Sequence, residues 1–322
     1  ENKETTVING ENSLTVLTIK ADRVTLSSFT IQKSGVLWVN SGIEIRSSHN
    51  TISGNIVSQN YNGISLFSSS NYNNITGNTI MSNEGDGIYL YNSYYNLLSE
   101  NIISDNYGGI VLVQSDYNTV SDNVFHNDGI VILGFYQNTV TNNLVNGKPL
   151  VFLNGKSDTV VNEAGQVVLV NCHNITIQNC ELFHTSIGIY LGYSNSCRIS
   201  RNNISSCPYG IILVQSDSNN ISMNSIVKNT YGISFNTCNR NNIMWNTISF
   251  NKYIGIALDS AHNNTISTNN IKFNGGLRNI QNGFGLRLSN SSYTRVAHNN
   301  FVLNAFNVYP VFSPFCSYNK NY

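Results

Sequence analysis

Charge is what this chain has least of. Seventeen Lys and Arg balance seventeen Asp and Glu, so 11% of 322 residues are charged and the formal net charge is zero. That share is less than half of the ~25% usual in globular chains. A basic surface for nucleic acid or acidic membrane is therefore excluded. Proline is nearly absent too, at four residues, while 40% of the chain is hydrophobic. Such a composition is not that of a disordered, low-complexity segment. No apolar run approaches the roughly 18 residues of a membrane-spanning helix, and no helical period of useful length is present.

What the chain has instead is Asn, Ser, Thr, Gly and Tyr. The opening stretch, "ENKETTVING", carries neither an initiator Met nor a signal peptide, as a mature exported chain would. N-x-S/T sequons begin at Asn74, Asn174, Asn203, Asn220, Asn263 and Asn290, which makes a secreted or cell-surface glycoprotein the expectation. Cysteines stand at 172, 180, 197, 207, 238 and 316 and include no CxxC. They are expected to be small buried residues, with one or two bridges between neighbouring turns.

The same phrase, Leu-Val-Gln-Ser-Asp, occurs at 112–116 and again at 213–217. A period explains it. "NTISGN" at 50–55 aligns with "NNITGN" at 73–78, "NLLSEN" at 96–101, "NTVSDN" at 118–123 and seven later phrases. Their sixth position is Asn55, Asn78, Asn101, Asn123, Asn143, Asn179, Asn202, Asn224, Asn246, Asn269 and Asn299. Most spacings are 20 to 23, with longer gaps of 36 and 30. Glycine forms a second column, at 42, 63, 87, 109, 129, 165, 188, 210, 232, 255 and 285, with Pro149 in the same place in one cycle. A strand-like phrase follows each, such as "GISLF" or "GIALD", in which apolar and polar residues alternate. Cycles of about 22 residues holding several short strands predict a parallel β-solenoid. The expected fold is all-β, a single-stranded parallel β-helix of about twelve coils, forming one domain over 1–322. Residues 1–30 form the first coil, 31–299 the regular coils and 300–322 the last, with irregular coils near 146–166 and 274–283. The Asn column is expected to be an inward amide ladder, and Asn, like Gly, to serve at left-handed backbone positions.

The phrases "NTISGNTI", "YGIxL" and "NGKPLVFLNG…AGQVVLVNCHNITIQNC" resemble the NosD-like group of right-handed parallel β-helix proteins. The likeness extends over roughly 14–316. It implies the right-handed coil and membership in a class of carbohydrate-binding proteins and sugar hydrolases. The family label also implies periplasmic copper. Six His (49, 126, 173, 184, 262, 298) and three Met (81, 223, 244) are scattered, so no metal site is expected.

Chemistry could sit at four acids before the Gly column: Glu84, Asp86, Asp105 and Asp128. They share one edge and suit Ca²⁺ or a catalytic pair, although short acids are also good turn formers. Otherwise no cofactor is expected. Tyr61, Tyr107, Tyr209, Tyr231 and Tyr253 precede the same column, and Tyr89, Tyr91, Tyr94 and Tyr95 form a second aromatic patch. These rows could stack on sugars or pack the turns. Arg278 and Arg287, with Arg295, could meet an anionic glycan. The expected function is a structural or adhesive surface protein that binds glycans or other surface proteins, or assembles head to tail. The alternative is a polysaccharide hydrolase or lyase using the four acids.

Overall fold

The computed structural model describes residues 6–134, 137–276 and 283–322. All regular structure in it is β-strand, and about fourteen turns of roughly 22 residues replace the twelve expected. Two compact units divide the chain, Glu1–Leu150 and Val151–Tyr322, where the sequence predicts one domain.

Each coil of either unit is a triangle of one long and two short strands. In the first unit the long strands are Leu17–Ile19, Ser41–Ile45, Asn62–Phe67, Asp86–Tyr91, Gly108–Val113 and Ile130–Leu133, stacked in that order in one parallel sheet. Pairing is in register, as in Ile64 with Ile88 and Ile88 with Ile110. Alternation places Ile43, Ile45, Ile64, Leu66, Ile88, Leu90, Ile110 and Leu112 inside, all fully buried. A short strand is three residues long, so only its middle residue points in: Ile52, Ile75 and Leu98 on one side, Val57, Ile80 and Ile103 on the other. The second unit repeats the scheme, with Ile189/Leu191 through Leu286/Leu288 on its long strands.

Three corners join the strands, and each has its own Asn ladder rather than the single one expected. In the first unit they run Asn50–Asn73–Asn96–Asn118–Asn138, Asn55–Asn78–Asn101–Asn123–Asn143 and Asn60–Asn83–Asn106. One residue shows the logic. The Oδ1 of Asn101 accepts both the N–H and the Nδ2 of Asn78, at 3.0 Å each. Its own Nδ2 donates to the Ile75 carbonyl at 2.8 Å and to Asn123 Oδ1 at 3.0 Å. A buried corner thus has its backbone satisfied by the side chain of the next coil.

The left-handed position is not the ladder Asn. It is the residue before it: Gly54 and Gly77, then Glu100, Asp122 and Asn142, all with φ between 56 and 64°. Asn179 has this conformation (φ 57°) and is exposed, while buried Cys180 takes the ladder place and donates its N–H to Asn202 Oδ1. Asn179 is therefore corrected from ladder to turn. The Gly column is likewise steric, not conformational. A Cβ on Gly63 or Gly232 would lie 2.4 Å from the carbonyl oxygen of the column glycine one coil on.

The repeated phrase has a chemical content. Gln114 and Gln215 are left-handed, Ser115 and Ser216 accept the N–H of Ser93 and Ser194, and Asp116 and Asp217 accept the N–H of Gln137 and Asn239. Pro149 is not a member of the Gly column. Asn146-Gly147, both at positive φ, turns the chain so that Leu144 and Val145 pair antiparallel with Pro149 and Lys148. Asn-Gly between apolar strands is the signal for such a hairpin. Of the irregular stretch 274–283, residues 277–282 lie outside those described.

Replacing Asn101 by Ala removes four buried hydrogen bonds at once, among them the one that satisfies the Asn78 N–H. The expected cost is about 2–4 kcal/mol, read as a lowered urea midpoint, whereas Asp122→Asn at the exposed, left-handed neighbour should change it little.

Candidate functional site

In the first unit the turn before each long strand varies in length. Asn60 stands three residues before Gly63, and Asp128 stands immediately before Gly129. The corresponding stretch from Ser34 to Gly42 is eight residues, because "GVLWVN" is inserted. That insertion walls a groove of about 840 Å³ on the outer face of the long-strand sheet. Its floor is built from successive coils: Thr15 and Thr18, then Glu44 and Arg46, then Phe67, then Tyr89 and Tyr91, with Trp38 and Leu14 as rim. Four coils at ~4.8 Å make it long enough for an extended chain molecule. Glu44 is buried and ion-paired to the Arg46 Nε, and its other oxygen faces the Thr15 hydroxyl at 3.5 Å. The Arg46 guanidinium lies 5.9 Å over the Phe67 ring, and Phe67 meets Tyr89 at 5.7 Å, tilted 53°. Aromatic faces around a hydrogen-bonding charged pair suit a ligand with both C–H and hydroxyl surfaces. The aromatic patch around Tyr89 points to this site in the sequence. Trp38, Glu44, Arg46 and Phe67 do not stand out there, although the overlong turn with four apolar residues in a row is a legible signal.

The four acids do not converge on this groove. Glu84 and Asp105 are exposed, and Asp105 accepts a bond from Asn127 Nδ2 at 2.7 Å. Asp86 opens its strand beside Gly108, its carboxylate 2.6 Å from where a Gly108 Cβ would stand. Asp128 is the last member of the third ladder, accepting the N–H and Nδ2 of Asn106 at 3.2 and 2.8 Å. It is 1% exposed, and its other oxygen has no partner among the described residues. Burial pushes both carboxyls up, to about 7, with the bonds from Asn106 opposing and Asp105 and Asp86 reinforcing the rise at Asp128. The edge is thus scaffold in part, with Asp128 in an Asn place.

Three rings of the tyrosine row pack on one another. Tyr209 and Tyr231 stack at 5.0 Å, Tyr231 meets Tyr253 at 5.7 Å, and the Lys252 ammonium covers the Tyr253 ring at 5.0 Å. A second stack, His49–Tyr72–Tyr95–Tyr117, runs at 5.1–5.2 Å along another corner, with every member in the left-handed conformation. The Tyr61 ring lies over Gly85, and Tyr107 is 70% exposed. Arg287 sits in the long-strand sheet of the second unit between Ala257 and Tyr309, whereas Arg295 belongs to a different sheet, so the two are not brought together. Arg278 lies outside the described residues.

No disulfide joins any of the six cysteines, which corrects the expected bridges. Cys180, Cys197 and Cys207 each stand at the first place of one ladder of the second unit, donating the backbone N–H to Asn202, Asn219 and Asn229. Burial pushes the thiols of Cys197 up to about 11 and of Cys207 and Cys238 to about 12. Among the described residues no three His, Cys, Asp or Glu side chains come together as an ion site. Buried thiols held protonated are the opposite of copper ligands. The donor set does not fit copper. Of the sequons, Asn74, Asn174, Asn203, Asn263 and Asn290 are exposed, while the Asn220 Oδ1 is buried.

These features define a right-handed parallel β-helix. Residues 16–164 match the family model for a right handed beta helix region, and residues 134–322 match that of periplasmic copper-binding protein (NosD). The chain belongs to the NosD family. No curated protein matches it. Among solved structures it is similar to a double mutant of the periplasmic alginate epimerase AlgG, at 13% identity and TM-score 0.46, over 92% of this chain and 77% of that one. It is also similar to the Azotobacter vinelandii mannuronan C-5 epimerase AlgE4 A-module, at 10% and 0.37, over 94% and 91%. A third is the Dettilon tailspike protein, at 16% and 0.39, over 90% of this chain and 61% of the tailspike. No helix among the described residues is long and apolar enough to cross a membrane.

Two outcomes follow from this chemistry. Folded carboxyls raised from the usual 3.8 to about 7 bind protons that the unfolded chain has released. Their contribution is present below about pH 4 and lost as pH rises towards 7. The urea midpoint should fall over that window, and Asp128→Asn, which continues the ladder, should flatten the fall. With a thiol reagent, the native chain should react quickly at half-buried Cys316 alone, and at all six cysteines once unfolded.

Proposed function

We propose that this chain is a glycan-binding β-helix protein acting outside the cytoplasm, holding its ligand in the groove of the first unit without turning it over. The groove carries the reading: Trp38, Phe67, Tyr89 and Tyr91 offer ring surface, and Glu44, Arg46 and Thr15 offer hydrogen bonds between them. Sugars present C–H faces and hydroxyl edges, which such mixed surfaces bind. Binding without turnover is favoured because Asp86 and Asp128 do not line the groove, and its one carboxylate, Glu44, is held by Arg46. A periplasmic or cell-surface location accords with the family.

A glycan array of the full chain, followed by calorimetry on the best oligosaccharide, tests the reading. Trp38→Ala and Tyr89→Ala should each weaken binding about tenfold, or ~1.4 kcal/mol. Asp86→Asn should leave it unchanged, and chromatography should recover the oligosaccharide intact. Unchanged affinity in both aromatic variants would sink the groove as the site. Cleaved or unsaturated products would make the chain an enzyme instead.

A further inference from the structure

The groove of the first unit holds two charges, and they cancel. Of the residues that line it only Glu44 and Arg46 are charged, and the two form one ion pair. Pairing in register puts Glu44 between Thr18 and Ser65, with Tyr89 one coil further, so the acid stands within the floor. Its side chain is 9% exposed, against 52% for Arg46. Lys20 is exposed one coil before Arg46 but does not line the groove. The chain as a whole has no net charge to draw a polyanion.

Glu44 changes what Arg46 can bind. Its Oε1 holds the Nε, which takes the Nε–Nη edge of the guanidinium fork away from any other carboxylate. The Phe67 ring lies against the guanidinium at 5.9 Å. The Nη groups are left as donors, in a pair whose charge is already balanced. An anion drawn to them gives up its water beside a second carboxylate, a cost that a neutralised cation does not offset. A hydroxyl loses far less, because it accepts from Arg46 and donates to Glu44.

We propose that the groove selects uncharged over anionic glycans, and that Glu44 sets this choice by neutralising Arg46. The inference rests on the glycan-binding reading and narrows it. The rings of Trp38, Phe67 and Tyr91 meet the C–H faces of the sugars. Glu44 and Arg46 act together as one neutral acceptor and donor for their hydroxyls. The four coils of the floor span ~14 Å at ~4.8 Å per step, a length of about three sugar rings.

The test is calorimetry of the full chain with cellotriose, mannotriose and maltotriose against trigalacturonate and trimannuronate, at low and high salt. Expected is salt-insensitive binding of a neutral trisaccharide, with the uronates about tenfold weaker or more. Glu44→Gln keeps the shape of the side chain and frees the charge of Arg46. It should strengthen uronate binding about tenfold and make it salt-dependent. Adding Arg46→Gln should abolish that gain. A wild-type chain that prefers the uronates overturns the proposal and leaves the glycan site standing. So does a Glu44→Gln chain that has the wild-type urea midpoint and an unchanged preference. Binding of neither class overturns the proposal together with the glycan-binding reading. The wild-type comparison decides between these outcomes even where the variant fails to fold.

Discussion

A side-chain amide that bonds to the coil beside it is the interaction on which everything else here depends. Short strands force a corner every few residues, and a corner turned inward strands its N–H and C=O groups away from water. One Asn per corner serves both: its oxygen takes an N–H from one neighbouring coil and its nitrogen returns a bond to that coil's carbonyl, as Asn101 does with Asn78 and Ile75. Because the amide must reach an identical place in the next coil, coil length is held near 22 residues. The glycine column follows from the same close stacking, since a Cβ there would strike a carbonyl oxygen of the next coil.

Where a ladder stops, its chemistry changes. In the second unit three ladders begin at cysteines, whose sulfur is small enough for the site and whose N–H feeds the next Asn. In the first unit one ladder ends at Asp128, which accepts as Asn does but carries a titratable group into the interior. Asp128, Cys180, Cys197 and Cys207 thus stand at places that Asn holds in the other coils. Among the described residues no cluster of His, Cys, Asp or Glu meets the copper of the family name.

A cross-section fixed by its interior can vary only at its corners and on its outer faces. Some corners use that freedom sparingly, by stacking rings such as Tyr72, Tyr95 and Tyr117. The insertion at 35–40 uses it fully: it walls a groove across four coils and lifts an apolar tip from the surface.

The sequence by itself determined the period, the glycine column and the inward Ile, Leu and Val of each strand. These are local repeats, and each residue's role follows from its place in the cycle. Asn179 shows the limit of that reasoning, because a one-residue slip moves the ladder place to Cys180 and only strand pairing reveals it. The groove was beyond the sequence for a different reason. Thr15, Glu44, Phe67 and Tyr89 belong to four different coils and meet only because parallel stacking brings outward positions 22 to 29 residues apart into line. Tertiary structure decided, too, which polar residues serve the scaffold and which face the solvent, since that depends on the direction a side chain takes at a corner and not on its type.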